Sequence, residues 1–455
     1  MPAKNKTDKQ GKGRNFLYPK QPSGRLYIYR KWVSYALLLC LFSFPFVQFK
    51  GEQLVLLNFV SRKFVFFGLI FTPQDFYLFA FAMLIFILFV ICFTVVLGRL
   101  WCGWACPQTI FMEMVFRRIE YWIEGDALHQ KKLDTQAWTA EKIFKKTVKH
   151  FLFLLISFAI ANTFLAYLIG SDVLYKIITE PISDHISGFI SICIFTAVFY
   201  TVFAYVREIV CTVICPYGRL QGVLLDNQSL IVAYDETRGE PRGKLVKDAG
   251  SLKGDCVDCS LCVQVCPTGI DIRKGTQLEC INCTACIDAC DEVMLKINKP
   301  EKLIGFYNND FIHARKPFRA GFKAYGYAAV LMVAMILFSS LIYNRQNVET
   351  TVLRASGTLF QTRADGSISN LYNAELINKT NKEIRFSFKS ASSTDSILFI
   401  QNETLLPKEG TVHLTFFLIR KPAQIKSYKT DVTFEVVTDK KTISTAATSF
   451  FANPN

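Results

Sequence analysis

The sequence predicts a multi-domain membrane protein: a region of five transmembrane helices, a small α+β domain inserted before the last helix, and a C-terminal β-sandwich. Three observations predict it. Of the 455 residues 51% are hydrophobic, and they concentrate in stretches long enough to span a bilayer. Two dense cysteine runs lie between the fourth and fifth of these stretches. The tail after Tyr343 holds no cysteine and reads as short strands between turns.

The spanning candidates, each of about 20 apolar residues, are 32–49, 76–97, 151–170, 188–206 and 324–343. Residues 64–71 are apolar but short, and with Arg62, Lys63 and Pro73 beside them they read as interfacial. The net charge of +15 fits either nucleic acid binding or membrane topology, and its distribution favours topology. Lys4, Lys6, Lys9, Lys12, Arg14, Lys20, Arg25, Arg30 and Lys31 precede the first span. Arg99, Arg117, Arg118, Lys131, Lys132, Lys142, Lys145, Lys146 and Lys149 separate the second from the third. The alternate loops carry only Lys50, Arg62 and Lys63, and Lys176. The positive-inside rule then puts residues 1–31 and 207–323 in the cytoplasm and 344–455 outside. No nucleic-acid motif competes for these charges, and the long polar leader is not expected to be a cleaved signal peptide.

Within 251–300 the first run is Cys256, Cys259, Cys262, Cys266 and Pro267, and the second is Cys280, Cys283, Cys286 and Cys290. This is Cys-x2-Cys-x2-Cys-x3-Cys written twice, the spacing of two-cluster bacterial ferredoxins. Three close thiolates wrap one cubane while the fourth reaches the other. One [4Fe-4S] cluster is therefore expected on Cys256, Cys259, Cys262 and Cys290, and a second on Cys280, Cys283, Cys286 and Cys266. Zinc is the competing reading, but its usual paired ligands do not call for three cysteines in succession. A disulfide framework would need an oxidising compartment. The second run ends in Cys290-Asp291 where the first has Cys-Pro, which bears on a cluster's potential and not on its ligands.

The membrane region, 32–215, contains a repeat. Its second span leads into Arg99, Cys102, Cys106 and Pro107, and its fourth into Arg207, Cys211, Cys215 and Pro216. Cysteines four apart share a helix face. The proline opens a new helix, so Cys106 and Cys215 should sit at helix N-termini with lowered thiol pKa. Metal binding or thiol redox chemistry is the reading for these four. Cys40, Cys92 and Cys193 have no repeat partners and read as small buried hydrophobes. Met112 and Met114 are candidate soft ligands, although the apolar face of an interfacial helix over 110–123 suits them better.

Residues 216–250 read as a cytoplasmic linker whose Arg238-Gly239-Glu240-Pro241-Arg242-Gly243 turn is either solvated or docked on anionic lipid, and 301–323 as a second linker. Strand-like runs at 384–388, 397–400, 412–419 and 432–437 suggest an immunoglobulin-like sandwich over 344–455, with His413 a strand residue. The five histidines, His129, His150, His185, His313 and His413, avoid the span interiors, so haem b is not expected. No Gly-x-Gly-x-x-Gly turn marks a dinucleotide site.

These features together resemble the cytochrome c oxidase accessory proteins of the CcoG, FixG and RdxA type. The resemblance covers nearly the whole chain. It implies a protein of the bacterial cytoplasmic membrane that helps build a cbb-type oxidase by reducing Cu(II) to Cu(I). It further implies copper handling at Cys102, Cys106, Cys211 and Cys215, a cytoplasmic electron donor, and the oxidase or its copper-delivery factors as partners. Soft thiolates favour Cu(I), which agrees with that role. Two other classes stay open: a quinol-linked electron-transfer subunit of a respiratory chain, and a non-enzymatic assembly scaffold.

Overall fold

The computed structural model describes residues 16–49, 51–60, 63–71, 75–244, 253–315, 321–355, 357, 359–392, 394–401, 403–425, 427–438 and 441–453. Lys4, Lys6, Lys9, Lys12, Arg14, Lys50, Arg62 and Pro73, used above for topology, lie outside them.

Among the described residues four helices are long and apolar enough to cross a membrane: Phe76–Leu97, Ala140–Ile169, Ile186–Val206 and Phe322–Tyr343. The span expected at 32–49 is different. Its helix runs Arg25–Ser43, gives way to a 3-10 turn at Phe44–Phe46 and ends in the strand Gln48–Phe49. Pro45 cannot continue the helix, and Arg25, Arg30 and Lys31 occupy its first turns. The apolar part from Trp32 to Ser43 is only roughly 18 Å long at 1.5 Å per residue. Its early start has a tertiary cause. The Asp288 carboxylate accepts the backbone N–H groups of Leu26 and Tyr27 at 3.1 and 2.8 Å, satisfying helix-end donors that would otherwise be orphaned. Gly24 makes room, since a Cβ there would lie 2.3 Å from Asp288 Cγ.

The chain forms two compact units, one of Met1–Ser43, Met83–Ala166 and Asp172–Met335, the other of Phe44–Ala82, Tyr167–Ser171 and Ile336–Asn455. In the first, the strands Ile231–Tyr234 and Ile304–Tyr307 pair antiparallel on either side of the cysteine runs in sequence. They close a core of Val232, Ile272, Ile287, Met294 and Leu303 around Cys256 and Cys262. The stretch read as a linker is folded into this lobe. It holds the helix Pro216–Leu224, the strand Ile231–Tyr234 and the one-turn helix Glu236–Gly239, capped by Asp235. Arg238 of its Arg-Gly-Glu-Pro-Arg-Gly turn pairs with Asp255 at 2.6 Å and donates to the Glu301 carbonyl at 2.9 Å.

The second unit contains the immunoglobulin-like sandwich. One sheet runs Ser396–Gln401, Thr411–Arg420, Ile368–Asn378, Val348–Arg354 in spatial order, and the other Ser387–Ser390, Lys429–Thr438, Lys441–Phe451. Alternation buries Leu414, Phe416 and Leu418 from one sheet and Val432, Phe434 and Val436 from the other. His413 lies exposed on its strand, opposite Glu375. The segment read as interfacial forms the strands Lys63–Phe66 and Leu69–Phe71, which join Val55–Asn58 in a three-stranded sheet with Val65 fully buried. Asp75 binds Arg345 at 2.6 Å and Lys379 at 2.7 Å.

Candidate metal centres

Each cysteine run folds the same way. Asp258 and Ser260 on either side of Cys259, and Asn282 and Thr284 on either side of Cys283, all have positive φ between 51° and 66°. Left-handed non-glycine residues cost free energy and persist where the surroundings demand them. Here they curl the backbone around the sulfurs, the kind of concavity that turns N–H groups toward an anionic cluster. Two cavities result. One, about 350 Å³ including its opening to solvent, is lined by Cys256, Cys259, Cys262 and Cys290. The other, about 340 Å³ on the same footing, is lined by Cys266, Cys280, Cys283 and Cys286, and Cys262 lines it too. Their walls are otherwise mostly apolar, from Met294, Leu303, Ile270 and Ile272. Burial pushes the Cys262 and Cys280 thiols up to about 11, so loading an iron–sulfur cluster must displace protons. Sulfur donors in apolar cavities of this kind fit [4Fe-4S] clusters, which supply one-electron storage when bound.

The Cys-x3-Cys-Pro repeat is a repeat of backbone as well as sequence. Four residues before the first cysteine of each pair, Gly98 and Arg207 turn the chain with φ of 57° and 54°. A single short helical segment follows, Leu100–Trp104 in one copy and Val210–Ile214 in the other. Cys106 and Cys215 then take extended conformations as N-caps of the helices that begin at Pro107 and Pro216, as the prolines predicted. Their N–H groups reach back five residues, to Trp101 O at 2.9 Å and Val210 O at 2.8 Å.

The copies interlock. Cys102 Sγ donates to Gln221 Oε1 at 3.1 Å, and Gln221 belongs to the helix after Cys215. Cys211 Sγ lies 3.9 Å from Thr109 Oγ1, on the helix after Cys106. Burial pushes the thiols of Cys102 up to about 12 and of Cys211 up to about 11, with the neighbouring motif cysteines adding to both. Among the described residues no group of three or more His, Cys, Asp or Glu side chains converges on one ion-sized point. Cubane ligands surround a polyatomic core, so that is their proper geometry. The four motif thiols are neighbours without being a closed single-ion cage.

Met112 and Met114 are 4% and 3% exposed, within a helical run from Pro107 to Glu124 that loosens to a π-helix over Phe111–Phe116. Met112 lines a cavity with Cys211, Thr109, Glu208 and Pro267. Cys40 and Cys193 are exposed on their helices and Cys92 partly so, not buried as small hydrophobes. Several charges read as a cytoplasmic surface are buried: Arg30, Arg99, Arg117 and Arg207 are 1%, 3%, 1% and 3% exposed. Glu120 grips Arg207 through two hydrogen bonds of 2.8 Å. Arg117 reaches Glu208 at 3.3 Å and the Pro267 carbonyl at 3.1 Å, tying the first repeat to the second and to the ferredoxin loop. The only sequence signal for this was position, an arginine ahead of each cysteine pair.

Three protein-family patterns match parts of the chain. A pattern described as a 4Fe-4S dicluster domain matches residues 206–309, a 4Fe-4S binding domain matches 79–135, and the IG-like fold at the C-terminal of FixG matches 338–454. Protein RdxB of Cereibacter sphaeroides is 33% identical over 404 residues, covering 85% of this chain and 84% of the relative. Protein RdxA of the same organism is 34% identical over 388 residues, 81% of each. The nitrogen fixation protein FixG of Rhizobium meliloti is 32% identical over 407 residues, 80% of this chain and 77% of its own. A crystal structure of a FixG-related protein from Vibrio parahaemolyticus covers 24% of this chain and 97% of its own, with 20% identity and a TM-score of 0.21. With relatives this similar over most of their length, paired ferredoxin loops and helices fit to cross a membrane, the chain belongs to the FixG/RdxA family of membrane iron–sulfur electron-transfer proteins.

Proposed function

We propose that this protein is a cupric reductase of cbb-type oxidase assembly. Cys256, Cys259, Cys262 and Cys290 hold one [4Fe-4S] cluster, and Cys266, Cys280, Cys283 and Cys286 hold the other. A reduced flavin or iron–sulfur protein in the cytoplasm supplies single electrons. The substrate Cu(II) accepts one electron at Cys102, Cys106, Cys211 and Cys215 and leaves as Cu(I), which soft sulfur donors favour. The assembly role rests on the family resemblance, as does copper itself.

One observation carries the reading. Cys102 packs in a single buried cluster with Ile281, Cys283 and Ala285, against Cys286. The first motif thiol therefore abuts the second cluster's ligands with no intervening domain or solvent. Exposed Cys259, among the ligands of the first cluster, offers the donor an entry. Five spans, with the N-terminus and ferredoxin lobe on the cytoplasmic side, remain the topology of this proposal.

The test is anaerobic Cu(II) reduction by the dithionite-reduced full chain. A variant with all four motif cysteines changed to alanine should keep its iron and lose Cu(II)-dependent cluster oxidation. Unchanged oxidation in that variant would remove copper from this site.

A further inference from the structure

Arg30 and Arg99 are buried cations without a counter-ion among the described residues. Arg30 donates from Nε to the Gly103 carbonyl at 2.7 Å, and its Nη2 has no partner. Arg99 donates from Nε to Gln221 Oε1 at 3.0 Å, and its Nη1 has none. Neither forms an ion pair among the described residues, whereas the equally buried Arg117 and Arg207 hold Glu113, Glu208 and Glu120. A guanidinium left this way is destabilising unless an opposite charge arrives.

Both sit where the first Cys-x3-Cys turn meets the loop of the second cluster. Gly103, whose carbonyl holds Arg30, approaches that loop so closely that a Cβ would lie 2.5 Å from Ile281 O. Gly98, next to Arg99, would place one 3.1 Å from Asn282 Nδ2. The first cluster's ligands have a different neighbourhood. Their cation, Arg273, is already paired with Asp271 at 2.8 Å and with Asp258, and Asp291 follows Cys290 directly.

We propose that Arg30 and Arg99 are the counter-charges of the second cluster site, making it the more easily reduced of the two. Four thiolates around a [4Fe-4S] core carry net negative charge, and one added electron makes it more negative. Two guanidinium groups without a carboxylate partner, buried behind the wall of that cavity, favour the electron on Cys266, Cys280, Cys283 and Cys286. The transfer is balanced: the first site loses one electron and the second gains it. Exposure of Cys259 to water also favours reduction at the first site, but water screens where buried charge does not. The consequence is direction, with electrons gathering beside Cys102. This rests on the cluster assignment proposed above and not on copper.

An EPR-monitored redox titration of the full chain in detergent, without copper, tests it. The second cluster's wave is the one removed or altered by Cys283→Ser. In wild type it should have the higher potential. Arg99→Gln and Arg30→Gln should each lower that wave at least tenfold in its equilibrium constant, 59 mV for one electron, and leave the other in place. Arg99→Lys and Arg30→Lys, which keep the charge, should hold the wave close to its wild-type potential. Iron analysis selects samples with both clusters loaded, so loss of fold cannot imitate the result. A second-cluster wave that is the lower one in wild type, or that stays put in both glutamine variants, would overturn the proposal. Lost Cu(II) reduction with unchanged potentials would count against this inference and leave the copper site standing.

Discussion

Gly103 stands between the first Cys-x3-Cys-Pro turn and the second ferredoxin run, and its missing side chain is what lets the two backbones approach. A Cβ there would press on Ile281 O at 2.5 Å, and a backbone carbonyl cannot swing aside. Gly103→Ala should therefore cost about 1–3 kcal/mol through overpacking, read as a lower thermal unfolding midpoint in protein that still binds iron. A variant as stable as wild type would mean that the turn and the loop are not held in contact. The grouping of the cysteines that line the two cavities was legible from spacing, because three of each four lie close together in sequence. The arginines were not. Arg30, Arg99 and Arg117 were counted among loop charges that set topology, and nothing in composition separates a lysine-like surface charge from a buried guanidinium. Only the partners Gly103, Gln221 and Pro267, each more than seventy residues away in sequence, reveal the difference.

Among elements, the helices and loops with strong local signals were read well and those set by distant partners were not. The prolines after Cys106 and Cys215 placed two helix starts correctly. The helix at Arg25–Ser43 begins before its apolar stretch because Asp288, far along the chain, caps it. The strands Ile368–Asn378 and Lys441–Phe451 escaped notice because serine, asparagine, threonine and alanine dilute their alternation. Their pairing with Thr411–Arg420 and Lys429–Thr438 makes them strands. The Phe76–Leu97 helix is tied at its start by Asp75. Burial alone would raise that carboxyl, but hydrogen bonds from Arg345 and Lys379 outweigh it and hold the carboxyl below its usual range. A depressed folded value means that the pair stabilises fully above the ordinary carboxylate range and loses its effect as pH falls from there through the folded value. Asp75→Asn should cost about 3 kcal/mol at neutral pH by leaving Arg345 without a carboxylate among the described residues, while Lys379 keeps Glu349 at 2.6 Å. Far-ultraviolet circular dichroism melts should show that gap narrowing below about pH 4. A gap of constant size across that range would show that the carboxylate is not ionised in the folded chain.

For the whole molecule, the topology proposed above makes a prediction independent of chemistry. Alkaline phosphatase fused after the sandwich should be active, and fused within 225–230 it should be inactive, since the enzyme needs an oxidising compartment for its disulfides. Equal activities at both points would leave an even number of crossings between them and remove the fifth span or its orientation. The two-unit division was legible where composition changes abruptly, at Tyr343. It was not legible at 44–82, which the sandwich unit recruits from the other end of the sequence. One last consequence comes from the way Cys102 leans on Gln221 while Cys211 leans on Thr109. Each half completes its sibling's socket, so neither copy is self-sufficient, and an ancestor with a single copy would have had to pair two chains to achieve the same enclosure.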